Sequence, residues 1–580
     1  MRKLLVYLKD YKKESVLAPL FKLLEASFEL FVPLVMAAII DHGIAERDTQ
    51  YILKMCVLLI LLAVIGLTCS ITAQYYAAKA AVGFAAKLRH ALFAHIQGLS
   101  YSEMDELGTS TMITRMTSDI NQVQSGVNMV LRLFLRSPFI VFGAMVMAFT
   151  IDVKAALVFV VAIPLLSVTV FVIMAVTIPL FKKVQSVLDG VLGTTRENLT
   201  GSRVIRAFHK EKEETEIFEE KNQTLTHLQL YVGKISALMN PLTYIIINAA
   251  LIALIYTGAV RVDNGYITQG EVVALVNYMS QILIELIKLA NLIITVTKAV
   301  ACGNRIETVL ELQSTMADGT ESLAQTDMSA PAVVFEQVSM RYKGAGADAL
   351  TDISLTVKRG ETIGIIGGTG SGKSTVVSLI PRFYDTASGA VLVDGMNVRK
   401  YKTEQLREKI GVVPQKAVLF AGTIRDNMKW GREDATDEEI WEALTIAQAK
   451  EFVEKKDGGL DAEIEQGGRN LSGGQRQRLT IARALVRKPE ILIMDDSASA
   501  LDYATDAALR RSIREMEQSP TVFIVSQRAA SILHADQILV LDDGEAVGLG
   551  THDELIKSCE VYQEIYYSQF SKEEGKEAQS

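Results

Sequence analysis

Six long apolar segments occupy most of the first half of the chain and restrict the folds open to it. An α-helix needs about 20 residues to cross the hydrocarbon core of a bilayer, and each segment is at least that long. Backbone polar groups inside a bilayer must be satisfied within their own segment, so we predict six membrane-spanning helices. The segments run over Val16–Ile40, Leu53–Ala78, Val130–Thr150, Val153–Leu180, Leu242–Val262 and Val272–Thr297.

Lysine and arginine residues indicate how these helices are oriented. The N-terminal tail is basic, and so are the two long connections that follow the second and fourth segments. The short connections hold only Arg47, Lys154 and Arg261. Because basic connections remain in the cytoplasm, we expect both termini, both long connections and the second half of the chain on the cytoplasmic side of the cell membrane.

The two long connections are amphipathic, which predicts that the second to fifth spans continue as helices well beyond the membrane. Cap-like residues interrupt this pattern around Gly108–Arg115 and around Glu197–Arg203. We expect these two turns to be coupling loops, through which the membrane part contacts a cytoplasmic domain. Solvated helical hairpins without a partner are the alternative.

Several ionisable side chains fall inside the predicted spans, where an unpaired charge is costly. Such residues face a cavity that accepts substrate, or they pair with one another between helices. The sequence leaves both interpretations open. The candidates for a substrate cavity are Glu25, Glu29, Arg136 and Glu285.

A glycine-rich segment from Gly367 to Thr375 matches the pattern G-x-x-x-x-G-K-S/T. An apolar, β-branched run precedes it and a helical pattern follows, which is the context that this pattern requires. The N–H groups of such a loop and the positive end of the helix bind phosphate. Lys373 can reach the β- and γ-phosphates, and the Ser374 hydroxyl can ligate Mg²⁺. We therefore predict a nucleoside triphosphate site; an ordinary tight turn is the alternative.

The second half of the chain alternates strand-like and helical stretches, which predicts an α/β domain with a mostly parallel sheet. The polar stretch Glu311–Pro331 separates it from the apolar half and is typical of a surface linker. The net charge of −8 arises from an acid-rich second half, which disfavours nucleic acid as its ligand. The four cysteines are scattered without the spacing of a metal site.

These patterns divide the chain into four predicted parts. Residues 1–305 form an α-helical six-span transmembrane bundle with long cytoplasmic extensions, and residues 306–330 form the linker. Residues 331–572 form the α/β nucleotide-binding domain. Residues 573–580 are rich in lysine, glutamate and serine, and we expect them to be disordered.

Further motifs follow the phosphate loop in a specific order. Gln415 comes first, then Leu-Ser-Gly-Gly-Gln at residues 471–475, an apolar run ending at Asp495, and Ser-Ala-Leu-Asp ending at Asp502. This order resembles the ATP-binding cassette (ABC) transporter family, whose nucleotide domain is a P-loop α/β fold. With six spans ahead of it, the chain resembles a half-transporter of the ABC exporters. The resemblance covers everything but the C-terminal tail.

The resemblance implies an ATP and Mg²⁺ site. In it, Tyr342 would stack on adenine, Ser374 and Gln415 would ligate Mg²⁺, and Asp495 would act on the ion through water. The residues expected around the nucleotide are Tyr342, Gly367, Thr369, Gly370, Ser371, Gly372, Lys373, Ser374, Thr375, Gln415 and Asp495.

The resemblance also implies that the chain works as half of a dimer. The signature sequence would close over ATP bound to the other subunit, because a serine hydroxyl and glycine N–H groups at a helix start form a second anion cradle. Its residues are Leu471, Ser472, Gly473, Gly474 and Gln475. Asp502 would belong to the D-loop.

Two positions depart from the family pattern for ATP hydrolysis. Asp496 stands where a catalytic Glu follows the Walker B acid, and Gln527 stands where a His contacts the γ-phosphate; Gln466 replaces a Glu before the signature. A carboxylate one methylene shorter is displaced by about 1 Å, which can cost about 10²-fold in rate. Glutamine cannot carry the charge of an imidazole or relay a proton. Neutral drift in an enzyme that still turns over is the alternative.

These departures make the chain most similar to the degenerate-site subunit of bacterial heterodimeric multidrug ABC exporters. The resemblance implies a partner half-transporter with an intact Glu and His, a lipid bilayer, and a small hydrophobic or amphipathic substrate exported by ATP hydrolysis. A lipid or peptide exporter of the same architecture is one alternative. An ATP-gated channel or sensor is another.

Overall fold

The computed structural model describes residues 3–321, 329–497, 499–517 and 519–570. The predicted disordered tail, 573–580, lies outside these residues, as does most of the second half of the predicted linker. The described residues form two compact units. One lies within Met1–Gln97 and Thr109–Leu312, and the other within Gly98–Gly108 and Gln313–Ser580.

The first unit is entirely helical in its described part. It begins with a 3₁₀-helix, Lys3–Tyr11, and two helices continue through π-helical turns at Ile39–Ile44 and Arg115–Asp119. Its α-helices are α1 (Lys12–Ala38), α2 (Thr49–Gln97), α4 (Thr109–Thr114), α5 (Ile120–Leu133), α6 (Arg136–Ile151), α7 (Val153–Thr200), α8 (Ser202–Ala207), α9 (Glu211–Ala237), α10 (Met239–Asp263) and α11 (Gln269–Glu311). The short helix α3 (Tyr101–Leu107) belongs to the second unit.

Within the described residues, six helical stretches are long and apolar enough to cross a membrane, and they confirm the six predicted spans. Their lengths exceed what a bilayer requires. Helix α2 has 49 residues and therefore measures about 74 Å at about 1.5 Å per residue, more than twice a hydrocarbon core of about 30 Å. Helix α11 ends at Glu311, so the first six residues of the predicted linker are helical.

Small side chains allow these helices to pack closely. Ala73, Ala77 and Ala80 form a fully buried row on α2, which packs against α1. A Cβ added to Gly126 on α5 would lie 2.3 Å from the Ala299 methyl group on α11. In lipid the hydrophobic effect does not draw helices together, so the helices associate through van der Waals contacts, which close backbone approach of this kind provides.

The second unit is built on a six-stranded sheet in the order β12-β11-β3-β10-β9-β6, of which all but the antiparallel edge strand β12 are parallel. This confirms the predicted α/β domain. The strands are β3 (Thr362–Gly367), β6 (Ile410–Val413), β9 (Ile491–Asp495), β10 (Thr521–Val525), β11 (Gln537–Asp542) and β12 (Glu545–Gly550).

A four-stranded antiparallel sheet, β2-β1-β4-β5, shares a hydrophobic core with one face of the large sheet. Its strands are β1 (Val333–Met340), β2 (Leu350–Val357), β4 (Ser388–Val393) and β5 (Met396–Asn397), and a separate two-stranded ribbon pairs β7 (Gly422–Thr423) with β8 (Glu463–Ile464).

Helices cover the other face of the large sheet and form a second core with it. The helices of this unit that follow α3 are α12 (Lys373–Leu379), α13 (Thr403–Glu408), α14 (Ile424–Lys429), α15 (Asp437–Ile446), α16 (Lys450–Glu454), α17 (Gly473–Val486), α18 (Tyr503–Arg514), α19 (His552–Ser558) and α20 (Glu560–Gln569), with 3₁₀ turns at Gly459–Asp461, Gln466–Gly468 and Ala529–Ser531. Because parallel strands end at the same edge of a sheet, the residues that follow β3, β6, β9 and β10 lie close together.

Candidate functional site

The phosphate loop connects β3 to α12, as its sequence predicts. Two of its glycines have a left-handed backbone, Gly370 with φ 87° and Gly372 with φ 92°. A Cβ on Gly367 would lie 2.1 Å from the Leu541 carbonyl oxygen, and one on Gly372 would lie 2.8 Å from that of Ala349. Only glycine satisfies both the dihedral angles and the space, which explains the composition of the loop.

A pocket of about 360 Å³ opens above this loop and collects most of the residues predicted to contact the nucleotide. Gly367 and Ser371 are not part of its lining; Ser371 is buried within the loop. The pocket is lined by Tyr342, Ala349, Thr369, Gly370, Gly372, Lys373, Ser374, Thr375, Gln415, Asp495, Asp496, Val525 and Gln527.

The Lys373 ammonium group lies against the loop itself. Its Nζ donates hydrogen bonds to the carbonyl oxygen of Gly367, at 2.9 Å, and to that of Gly368. Burial lowers the pKa of this side chain, and the negative charges of Asp496 and Asp495 oppose that effect. A buried cation beside backbone N–H groups makes the pocket suited to a polyanion such as a triphosphate.

Side chains that carry oxygen ligands suitable for Mg²⁺ also line the pocket. The Ser374 hydroxyl donates to Asp495 Oδ1 at 2.8 Å, and Gln415 Nε2 lies 3.4 Å from Asp496 Oδ2. Burial raises the pKa of Asp495 and also that of Asp496. The described residues contain no group of three or more His, Cys, Asp or Glu side chains that could hold a metal ion. Magnesium does not need one, since it binds through one or two protein oxygens together with phosphates and water.

The predicted adenine-stacking residue lies at the rim of the pocket. The Tyr342 hydroxyl is 3.0 Å from Thr375 Oγ1 in the first turn of α12. Its ring meets the ring of Tyr384 edge to face, with centroids 5.1 Å apart and planes at 83°. The aromatic ring is thus held next to the phosphate loop, where a base attached to the bound phosphates could reach it.

The two predicted departures from the hydrolytic pattern follow neighbouring strands of the sheet. Asp496 follows β9 and Gln527 comes two residues after β10, and both line the pocket. The strands are neighbours, with Asp495 in register with Val525, and the Asp496 N–H donates to the Val525 carbonyl at 3.0 Å. Their proximity follows from the parallel strand ends. Their catalytic roles stay predictions.

The signature sequence forms the N-terminus of α17. Ser472 caps the helix, with its Oγ accepting from the Gln475 N–H at 3.3 Å and its N–H donating to the Gln475 side-chain oxygen at 3.0 Å. Leu471 is buried below this cap. Among the described residues that line the nucleotide pocket, none comes from 471–475. The chain therefore carries its signature away from its own phosphate loop.

The predicted D-loop residue, Asp502, is also outside the pocket lining. Its carboxylate caps α18 by accepting from the Thr505 N–H at 2.8 Å and from the Thr505 hydroxyl at 2.9 Å. The preceding Ser499 hydroxyl donates to the Asp496 carbonyl at 2.8 Å. The loop is thereby tied to the end of β9, and any D-loop role for Asp502 stays a prediction.

Three of the four candidate cavity residues form one charged cluster in the first unit. Arg136 donates to Glu29 at 2.7 Å and to Glu285 at 2.5 Å. Glu285 also accepts from the Ser137 hydroxyl and the Lys288 ammonium, each at 2.8 Å. This is the pairing between helices that the alternative interpretation expects. The Glu29 side chain nevertheless remains 40% exposed, against 3% for Glu285.

The fourth candidate, Glu25, is held separately. Its carboxylate accepts from the Lys22 ammonium at 2.6 Å, three residues earlier on α1. Lys22 also donates to the Ser70 hydroxyl on α2 at 3.1 Å. The side chain of Glu25 is mostly buried, so it is bound into the packing of α1 on α2.

Sequence reasoning missed two features of the second unit. Helix α3, which packs against Phe383 and Tyr384, precedes the turn expected to make the first coupling contact, Gly108–Arg115. The i, i+4 spacing of Tyr101 and Asp105 could have indicated it. The second feature is Gln569, whose side chain contacts the loop that carries Gln527. A lone polar residue near the chain end provides no sequence signal.

Comparison with known proteins agrees with this architecture. Residues 15–286 match the model of the ABC transporter transmembrane region, and residues 350–499 match that of the ABC transporter nucleotide domain. An uncharacterized ABC transporter ATP-binding protein of Mycobacterium tuberculosis is 38% identical over 97% of both chains. A Bacillus subtilis protein that carries a multidrug export ATP-binding/permease name is 32% identical over 98% of both chains.

A solved structure shows the same fold. The structure of a bacterial Atm1-family ABC exporter with ATP bound aligns with a TM-score of 0.77 and covers 97% of this chain and 99% of its own. The two sequences are 22% identical, so this similarity describes the fold.

Proposed function

The chain belongs to the ABC transporter family, and on that basis we propose that it is one half of a heterodimeric exporter of hydrophobic or amphipathic compounds. The observation that carries this proposal is the composition of the pocket above the phosphate loop. Nine of the eleven residues expected to hold MgATP line this pocket together with Asp496 and Gln527, the two positions that we interpret as lacking the family's hydrolytic side chains.

The pocket is suited to hold MgATP. Lys373 and the loop N–H groups would bind the β- and γ-phosphates, and Tyr342 would stack on the adenine. Ser374 and Gln415 would hold the metal, with Asp495 near it. When bound, Mg²⁺ neutralises charge on the phosphate oxygens.

The same pocket is poorly suited to cleave ATP. Asp496 is too short by one methylene to polarise a water placed for an in-line attack. Gln527 can donate a hydrogen bond to a γ-phosphate but cannot supply a positive charge. We therefore expect this site to retain ATP over many cycles.

The signature supports the pairing with a second, different chain. Ser472 and the N–H groups of Gly473 and Gly474 begin a helix outside the chain's own pocket and can serve ATP only in another subunit. A partner with Glu and His at the positions of Asp496 and Gln527 would have its hydrolytic site completed by this signature. ATP hydrolysis by the complex would then occur mainly at that composite site.

The transport cycle follows from this arrangement. Closure of two cassettes on two nucleotides would move the two coupling loops, Gly108–Arg115 and Glu197–Arg203, and hydrolysis at the partner's site would reset them. Both termini and the ATP-binding domain would lie in the cytoplasm, with the six spans in the cell membrane. The substrate cavity would include Glu29 and Arg136, because Glu29 remains exposed within an apolar span.

Reconstitution tests the proposal. The chain would be purified alone and with a co-expressed candidate partner, placed in proteoliposomes, and assayed for ATPase and for ATP-dependent accumulation of a fluorescent hydrophobic cation or a fluorescent phospholipid. We expect weak ATPase from the chain alone, strong ATPase from the pair, and uptake of the cation. Uptake of the phospholipid alone would identify a lipid exporter. ATP-dependent current without accumulation of either solute would contradict export.

A further inference from the structure

The loop that carries Gln527 is held by two separate sets of contacts. This switch loop, residues 526–529, follows β10 directly. Inside the loop, the Ser526 hydroxyl accepts from the Arg528 N–H at 2.9 Å. Two further sets of contacts connect the loop to the rest of the domain, and each comes from a different part of the chain.

The first set comes from the Arg528 side chain. Its guanidinium group donates to the carbonyl oxygens of Ser499, at 3.3 Å, and Leu501, at 3.2 Å. It also lies 5.1 Å from the centroid of the Tyr503 ring. These contacts connect the switch loop to the segment that follows Asp496.

The second set comes from Gln569, the last residue of α20. Its Nε2 donates to the Gln527 carbonyl oxygen at 2.7 Å, and its Oε1 accepts from the Ala529 N–H at 2.8 Å. One amide thus holds the backbone on both sides of Arg528. Ala529 is fully buried, so its N–H would be costly to leave without an acceptor.

The helix that presents Gln569 is itself firmly anchored. Tyr562 and Tyr566 on α20 are buried in the core. The Tyr562 hydroxyl lies 2.8 Å from His552 Nδ1, and the His552 ring packs against both tyrosine rings. Helix α20 is therefore packed into the domain, and from its last residue the exposed side chain of Gln569 reaches the switch loop.

We infer that Gln569 is a positioning residue: it holds the switch-loop backbone so that the Gln527 side chain faces the nucleotide pocket, and this slows the release of MgATP. The inference rests on the proposed function, which supplies the nucleotide. The direction of a side chain depends on the orientation of its own peptide groups, and the Gln527 carbonyl is one of the two groups that Gln569 binds. Without this contact the loop would sample other orientations, and Gln527 would contact the γ-phosphate less often.

The test measures nucleotide release from the full-length chain in lipid nanodiscs. Mg²⁺ and mant-ATP are bound, unlabelled ATP is added in excess, and the fluorescence decay gives the dissociation rate. We expect Gln569→Ala to release mant-ATP about fivefold faster, which is the effect of losing two hydrogen bonds that are each at the low end of the usual net strength. Gln569→Glu keeps an acceptor for Ala529 but sets an oxygen against the Gln527 carbonyl, so it should also release faster.

Two controls separate positioning from a general structural effect. Ser568→Ala, on the same helix turn, removes only a local bond to the Ile565 carbonyl and should release at the wild-type rate. In a Gln527→Ala background, Gln569→Ala should have no further effect, because it acts through Gln527. Faster amide hydrogen exchange at Ala529 in Gln569→Ala would report the freed loop directly.

The outcomes are distinguishable. If wild-type protein does not bind mant-ATP, the proposed function itself is wrong. If wild-type protein binds and Gln569→Ala releases at the wild-type rate, the proposed function stands and this inference is wrong. If Gln569→Ala accelerates mant-ATP release equally in the wild-type and Gln527→Ala backgrounds, this inference is also wrong, because the effect then does not depend on Gln527.

Discussion

The Tyr384 hydroxyl donates a hydrogen bond of 2.6 Å to the carboxylate of Asp105, a residue 279 positions earlier in the chain. The same tyrosine ring meets Tyr342, the predicted adenine-stacking residue, edge to face. Asp105 lies on α3, which in the chain follows the long helix α2 and precedes the short helix α4. The Tyr384 side chain therefore contacts both Tyr342, which lines the pocket, and α3, which the chain joins to the membrane-spanning part.

Tyr384→Phe should weaken the coupling of ATP hydrolysis to substrate without preventing nucleotide binding. The substitution keeps the ring against Tyr342 and removes the bond to Asp105. We expect mant-ATP affinity close to wild type and reduced stimulation of ATPase by substrate in the reconstituted pair. Asp105→Asn, which keeps an acceptor, should preserve stimulation.

Lys343→Gln is the matched control for this interface. It removes an ion pair of 2.7 Å with Glu106 on α3, and because both side chains are exposed this pair contributes little to stability. Stimulation should remain close to wild type. Equal losses in Lys343→Gln and Tyr384→Phe would show that the hydroxyl has no special part in coupling.

In the proposed heterodimer, Asp496→Ala should change the ATPase rate little, and Ser472→Ala should lower it strongly. In that proposed heterodimer, Asp496 belongs to a site that contributes little hydrolysis, so ATPase of the pair should change little. Ser472 would serve the partner's active site, and losing one donor to a transition-state anion costs about 10²-fold or more. Steady-state ATPase of the purified pair measures both. Loss of all activity in Asp496→Ala would contradict a degenerate site.

Restoring the family's side chains should restore hydrolysis. In a pair whose partner carries Gln in place of its catalytic Glu, the double substitution Asp496→Glu with Gln527→His should raise ATP turnover above that of the unsubstituted chain. The longer carboxylate reaches the attacking water, and the imidazole can carry charge. Single-turnover phosphate release measures the gain. Unchanged turnover in a folded, ATP-binding double variant would show that the departures are not what limits this site.

Asp496→Asn should stabilise the cassette at neutral pH. Burial raises the pKa of Asp496 in the folded protein, so protonation favours the folded state and the ionised carboxylate disfavours it. The loss in free energy of unfolding that ionisation causes is absent below the ordinary carboxyl pKa of about 4 and grows as pH rises through the folded-state pKa. In Mg²⁺-free buffer, the apparent Tm of Asp496→Asn should exceed that of wild type at pH 7. The difference should shrink toward pH 4, and a pH-independent difference would contradict this origin.

Glu285→Gln and Glu29→Gln should separate stability from substrate recognition. Glu285 is buried and accepts from three side chains, so neutralising it leaves Arg136 with one fewer charge partner. Breaking a buried pair costs about 3–5 kcal/mol. We expect a lower apparent Tm for Glu285→Gln.

Glu29→Gln should keep the Tm and reduce uptake of cationic substrate relative to a neutral one. Unaltered cation selectivity would argue against a cavity at Glu29.

Local patterns predicted much of this protein correctly. The six spans could be predicted from sequence because a bilayer requires each helix to form all its backbone hydrogen bonds internally. The length of an apolar segment therefore indicates a span. The phosphate loop could be predicted for a related reason. Its backbone is left-handed at Gly370 and Gly372, and glycine is the residue type that adopts this conformation readily.

The sequence by itself determined which residue types are present: six apolar spans, a phosphate loop, Leu-Ser-Gly-Gly-Gln at residues 471–475, and the side chains Asp496 and Gln527 from which we propose a degenerate site. The tertiary structure decided which side chains meet. Gln527 lies beside Asp496 because two parallel strands end at one edge of a sheet. Gln569 reaches the switch loop, and Tyr384 reaches Asp105, through packing between segments far apart in the chain. Such contacts depend on the sum of many weak packing interactions, and no single stretch of residues encodes them.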